Sequence, residues 1–325
     1  LTDQFFAETY LNDPSPQLGQ SKPIKIIASN GKKYYLKTDI VDGFHQDAVF
    51  FQELLCSLLA RQLNVPVPNF AIIEIEKEFV EANGELRFSN KFKPGLYFAT
   101  EEISDVEDNL VENIALAQQM GKPRIRRTWT GYFKDVVNVQ DYASIITFDL
   151  FVQNFDRFTN EGNLLVGNDG LGNRKVYAID HGHAFAGPVY NLQKIEFLQK
   201  NKLPNYIDFF MELLRNVGGG YSFGAVFQGI QNNIDLTTEN PFSEIIYKIE
   251  NFSELQLKTI LNEIPDEWVI QGVSQRNKYL EYLSRQKLLL RHIIMRMVNS
   301  NLFSNYMGGE LEWKELKLEE SPGIQ

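Results

Sequence analysis

Two short apolar runs, KPIKIIA and KYYLKT, stand either side of the polar tetrapeptide SNGK. Asn-Gly between β-prone runs is a strong hairpin signal, so the pair predicts two antiparallel strands. The apolar period then changes. Phe50, Leu54, Leu58 and Ala60–Arg61 follow a helical spacing, which predicts a helix over 46–63. NVPVPNF closes that helix, because each Pro drives the residue before it out of the helical region. FAIIEIEKEFV reads as a further strand, and the polar stretch EANGELRFSNKFKPG, with its Gly and Pro, as a loop.

Beyond LYFATEEI the pattern turns helical. DYASIITFDLFVQN predicts a helix, and NLLVGND and KVYAID predict two short strands joined by the Gly-rich turn NDGLGN. From Asn191 onward, NPFSEIIYKIENF, FSELQLKTILNEI and RNKYLEYLSRQKLLLRHIIMRMV each carry apolar residues at i, i+3 and i+4. The chain contains no internal repeat and no low-complexity tract, and its charged tail ELKLEESPGIQ is expected to fray. The pattern is α+β: a small β-rich lobe with one helix, then a larger helical lobe holding a two-stranded ribbon. The boundary is expected near 95–102, dividing residues 1–98 from 99–325. Nucleotides commonly bind in the cleft between two such units.

Length and charge narrow the function classes. The 325 residues suit two domains or one two-lobed unit, and 43% hydrophobic residues supply a core. A net charge of −10 argues against nucleic-acid binding, which needs clustered Lys and Arg to displace counterions. With the single cysteine Cys56 no intrachain disulfide forms, as in a reducing compartment, and FFQELLCSLLARQL places Cys56 in a core helix. No apolar run reaches the ~20 residues that span a bilayer. The opening LTDQFFAETY lacks the basic start and apolar stretch of a signal peptide, and it begins without Met, as a trimmed N-terminus would. These features together predict a cytoplasmic protein with no membrane partner.

Candidate chemistry gathers in NFDRFTNEGNLL, 154–165, and YAIDHGHAF, 177–185. Phosphoryl transfer from ATP needs a metal on the phosphate oxygens, a lysine on the phosphates and a carboxylate to orient the incoming hydroxyl. Magnesium takes hard oxygen ligands, usually one or two carboxylates or amides plus the phosphates. Asp156, Asn163 and Asp180 offer such oxygens, and the ribbon folds Asp180 back beside Asn163. Lys37 ends the apolar strand YYLK with Tyr35 on the same face, and Glu53 in the next helix is placed to pair with it. A carboxylate partner lowers the cost of burying a lysine and fixes its aim. Upstream, PSPQLGQSKP is a flexible segment whose backbone N–H groups from Gly19 to Ser21 are placed to cover phosphates.

Other polar features have plainer readings. His181 and His183 flank Gly182 without the third or fourth ligand a zinc site wants. GGGYSFG follows a helix rather than a strand, so it reads as a helix stop. RIRRTW reads as a solvated basic face.

In order and spacing these segments resemble the HipA-like protein kinases, in particular the stand-alone bacterial type. LGQSKPIKIIASNGKKYYLKT is similar to that family's phosphate loop, hairpin and lysine strand, and FQELLCSLLARQLNVPVPNFAIIEI to its glutamate helix and following strand. GLYFATEEI takes the place of the interlobe hinge, NFDRFTNEGNLLV that of the catalytic loop, and YAIDHGHAF that of the metal strand. IPDEWV and YLSRQKLLLRHI resemble its C-terminal helical segments. The resemblance implies a bilobal protein-kinase-like fold and a Mg²⁺- and ATP-dependent serine/threonine kinase acting on a protein, with an antitoxin-type regulator as a family-level partner. It implies Asp156 as catalytic base and Arg157 as a neighbouring phosphate or structural contact. Asn163 and Asp180 would hold Mg²⁺, Lys37 would bind the phosphates with Glu53 as partner, and backbone groups of Ala99, Thr100, Glu101 and Glu102 would hold the adenine. Two positions depart from many relatives: Phe158 stands where a histidine is common, and Glu161 where the metal amide is. Asn163 is therefore the expected metal amide, with Asn160 as second choice. A small-molecule or lipid kinase, or a catalytically inert nucleotide-binding module, are the rival readings.

Overall fold

The computed structural model describes residues 1–12, 23–88, 92–107, 132–217 and 223–315. The Asn-Gly signal is where the first sheet forms. Strands β2 (Ile24–Ala28) and β3 (Lys33–Leu36) pair antiparallel, with Ile26 opposite Tyr34. The Gly31 N–H donates to the Ala28 carbonyl at 2.8 Å and Gly31 sits at φ 76°, a left-handed position that glycine takes without strain. β1 (Gln4–Leu11), β6 (Phe70–Ile75) and β7 (Gly95–Glu101) join them in a closed barrel of order β1-β2-β3-β7-β6, with β1 parallel to β6. β4 (Ile40–Val41) and β5 (Phe44–His45) make a small separate ribbon.

The helix expected over 46–63 is α1 (Val49–Leu63), ended by Asn64 in a left-handed conformation just before the two prolines. It is buried on nearly every side, because FFQELLCSLLARQL is apolar almost all the way round. Cys56 is fully buried there, and burial pushes its thiol well above its ordinary pKa. The expectation of one strand through FAIIEIEKEFV needs correction. β6 ends at Ile75 because its partner β7 begins opposite it, at Gly95. Without a ladder, the Glu-rich continuation folds as α2 (Lys77–Ala82), with Lys77 and Glu81 paired one turn apart. The stretch read as a loop contains the short helix α3 (Gly84–Phe88).

The second half follows the helical pattern: α4 (Asp141–Val152), the single turn α5 (Asp156–Thr159), then the ribbon β8 (Leu164–Asn168) and β9 (Arg174–Ala178). There follow α6 (Leu192–Phe197), α7 (Tyr206–Val217), α8 (Ala225–Gln231), α9 (Ser243–Glu250), α10 (Glu254–Asn262) and α11 (Gly272–Asn299). One apolar core runs from Ile26 and Phe98 of the barrel, through Phe51 and Leu55 of α1, to Phe148, Tyr279 and Leu283 of the helical half. Among the described residues, no helix is long and apolar enough to cross a membrane.

Candidate active site

The residue after β3 is Lys37. Its N–H continues the ladder onto the Phe98 carbonyl of β7 at 3.0 Å, which directs the side chain inward. Its ammonium lies 3.3 Å from Glu53 Oε1 and 3.1 Å from Asp180 Oδ2. Burial alone would lower the Lys37 pKa, but Asp180 and Glu53 outweigh it and hold the amine above its ordinary value. Asp180 shows the converse: burial would raise its carboxyl, and Lys37 holds it below the usual range. For Glu53 burial prevails, and its pKa is raised despite the lysine. Its Oε1 also accepts from the Gly182 N–H at 3.0 Å.

Asp180 follows β9 with φ 61°, a left-handed conformation that is uncommon outside glycine. The turn of its carboxylate away from the strand direction is held from behind by Asn154, whose Nδ2 donates to the Asp180 carbonyl at 3.1 Å. Asp156 opens the one-turn helix α5, and Asn163 ends the 3-10 turn that follows. Asn163 Nδ2 donates to Asp156 Oδ2 at 2.8 Å, which leaves the amide oxygen for another partner. Geometry thus separates the two amides. Asn163 is buried beside Asp156, whereas Asn160 is exposed and uses its Oδ1 to accept from the Gly162 N–H at 3.1 Å.

Arg157 does not reach the cleft. It is wholly buried, its Nε 2.9 Å from Asp149 Oδ2, and its Nη1 donates to the carbonyls of Asn163 and Ile179. Of the two expectations for Arg157, the phosphate contact is corrected to the structural one, because the guanidinium faces Asp149 in the interior. It ties the loop of Asp156 to the chain just past β9, next to Asp180. Burial pushes the Asp149 carboxyl up to about 7 against the pull of Arg157.

A cavity of about 610 Å³ opens between the barrel and the ribbon. Lys37, Glu53, Asp156, Asn163 and Asp180 all face it. Thr100 and Glu101 line it too, with Ile103 and Val106 beyond them. Ala99 is fully buried, and Glu102 gives its N–H to the Lys33 carbonyl at 2.9 Å, which leaves that N–H engaged within the barrel. Glu101 likewise gives its N–H to the Asn69 carbonyl at 2.8 Å. Gly19, Ser21 and RIRRTW lie outside the described residues, as does most of GGGYSFG.

Phe158, in the place of a histidine, packs between the rings of Phe155 and Phe227. His181 is buried edge-on to Phe148, and burial lowers its pKa far enough to keep it neutral. Among the described residues no group of three His, Cys, Asp or Glu side chains could hold a metal ion. Sequence reasoning missed Asp149, although a lone acid in the apolar run of DYASIITFDLFVQN is itself a signal that a buried cation faces it. It also missed Gln52 and Lys194, for which no pattern exists in the chain.

A β-barrel lobe, a buried Lys–Glu pair and an Asp–Asn–Asp set around the intervening cleft define the protein-kinase-like phosphotransferases. Within that class, residues 15–199, more than half of the chain, match the family described as HipA-like kinase, and the protein belongs to that family. Comparison with curated proteins finds no match. Among solved structures, the chain is similar to the proinflammatory kinase CtkA of Helicobacter pylori, at 11% identity and a TM-score of 0.51, covering 93% of this chain and 99% of that one. This likeness shows the fold. A Golgi casein kinase solved with Mn and ADP matches at 12% identity over 98% of this chain and 77% of that one. Its TM-score of 0.40 carries no argument.

Proposed function

We propose that this kinase transfers the γ-phosphoryl group of Mg·ATP to a hydroxyl, with a serine or threonine of another protein as acceptor. The observation that carries the reading is the convergence of Lys37, Glu53, Asp156, Asn163 and Asp180 on one cavity. The protein acceptor follows from family membership alone. In the transfer, the acceptor oxygen bonds to the γ-phosphorus as the bond to the β–γ bridging oxygen breaks. ADP leaves and the hydroxyl proton passes to Asp156. Asn163 aims that carboxylate through its bond to Oδ2. Lys37, held by Glu53, meets the phosphates as a fixed point charge.

The all-oxygen donor set suits Mg²⁺: Asn163 Oδ1 and the Asp180 carboxylate would hold it, with the phosphates completing its shell. Bound there, the ion would neutralise charge on the transferring phosphate. The remaining contributions are positioning and electrostatics.

The test is label transfer from γ-labelled ATP with Mg²⁺ in a cell extract, comparing wild type with Asp156→Ala. A labelled protein band that falls by roughly 10²-fold or more in the variant is expected. Label appearing only in soluble metabolites would move the acceptor to a small molecule. Wild-type transfer by folded Asp156→Ala would remove Asp156 from the role of base.

A further inference from the structure

α1 carries Glu53 and, beside it, Gln52, whose amide is fully buried and fully bonded. Its Nε2 donates to the Gly182 carbonyl at 2.5 Å and to the Gly187 carbonyl at 3.1 Å. Its Oε1 accepts from Lys194 Nζ at 2.6 Å and from the Tyr279 hydroxyl at 2.9 Å. All four hydrogen-bonding positions of the amide are therefore filled. Gly182 is gripped at both peptide groups that flank its Cα, its N–H by Glu53 and its carbonyl by Gln52. A Cβ there would lie 3.2 Å from Val49 Cγ1 and 3.3 Å from Glu53 Oε1, so helix and strand end meet without slack.

Lys194, on α6, is 2% exposed, and among the described residues none of its partners is a carboxylate. Its three acceptors are Gln52 Oε1 and the carbonyls of Ala184 and Gly187. Three oxygens match the three donors of the ammonium form, and the neutral amine, with two N–H donors, still bridges two of them. The turn they belong to begins right after the strand that presents Asp180. A buried amine without a counterion is costly to keep, so a site built this way needs a reason beyond packing.

We propose that Lys194 is a positioning residue for phosphoryl transfer: by clasping Gln52 to the 184–187 turn, it holds α1 where Glu53 meets Lys37. The inference rests on reading Lys37 and Glu53 as the phosphate-binding pair. It acts at a distance from the cleft, since Lys194 touches neither. Removing its amine takes one donor from each of two turn carbonyls and from Gln52, and frees the helix to shift relative to Asp180.

The test is the affinity of the full chain for Mg·ATP by calorimetry, in wild type, Lys194→Met, Glu53→Gln and the double variant. Lys194→Met should weaken binding roughly tenfold, and the double variant should bind within about twofold of Glu53→Gln, because both changes act through one pair. Unchanged affinity in folded Lys194→Met, or effects that multiply in the double variant, would overturn the clasp. If Glu53→Gln itself binds as wild type, the phosphate-binding reading falls and the clasp with it. Should Lys194→Met not fold, Tyr279→Phe removes one hydroxyl from Gln52 and leaves the ring contacts with Phe51 and Phe185. That variant should bind about two- to threefold more weakly, and no change would count against the proposal.

Discussion

Lys37 and Lys194 are both buried, in opposite electrostatic settings. Lys37 has two carboxylates within 3.3 Å, whereas Lys194 faces only neutral oxygens. Burial lowers the Lys194 pKa from 10.5 to about 7, and the more distant Cys56 and Asp47 only partly oppose it. Between about pH 7 and 10.5 the unfolded chain thus carries a proton that the folded chain lacks, and stability rises with pH across that window. The neighbours Cys56 and Tyr279 have pKa values raised by burial and are present in both proteins compared below, so they do not mask the effect. Urea midpoints at pH 7 and pH 9 should show wild type gaining on Lys194→Met as pH rises; a constant difference would place the Lys194 pKa elsewhere. Lys37 was legible in the sequence, because it ends an apolar strand and a carboxylate follows in the next helix. Lys194 was not, since NLQKIEFLQK reads as a solvated surface and only packing against α1 buries it.

At the scale of elements, the turn that bears Asp156 is held by a neighbour that sequence reasoning took for a helix stop. Gly224 precedes α8 at φ 99°, and a Cβ on it would come within 2.0 Å of the Phe158 carbonyl oxygen. That oxygen belongs to α5, the turn that starts at Asp156. Gly224→Ala forces α8 away from α5, and a displacement near 1 Å at a reacting group costs about 10²-fold in rate. Label transfer should fall by that order, whereas Gly172→Ala, which also has positive φ but open space, should leave it near wild type. Equal activity in the two variants would mean that α8 does not position Asp156. The hairpin, α1, the ribbon and the long C-terminal helix all followed from local pattern. The α2 segment did not, because whether EKEFVEA extends a strand depends on a partner strand distant in the chain.

For the molecule as a whole, α1 is the joint. It packs on β7 of the barrel, on α9 and α10, and through Gln52 on Tyr279 of α11. Trp268, in the 3-10 turn before α11, adds a second tie: its indole donates to the Leu96 carbonyl of β7 at 3.2 Å and its ring lies 5.4 Å from that of Phe50. Trp268→Ala should lower stability by about 3–5 kcal/mol in urea denaturation. Wild-type unfolding should remain a single transition by fluorescence and circular dichroism, since the core is continuous. Two separated transitions would show that the halves fold independently. By itself the sequence determined the strands, the helices and the polar loops that bear Asp156, Asn163 and Asp180, because hydrophobic period and turn residues act over a few positions. Tertiary structure alone decided which polar groups are buried together. It put Arg157 on Asp149, Lys194 on Gln52 and Gly224 on α5, since burial and hydrogen-bond partnership depend on what distant segments bring to the same point.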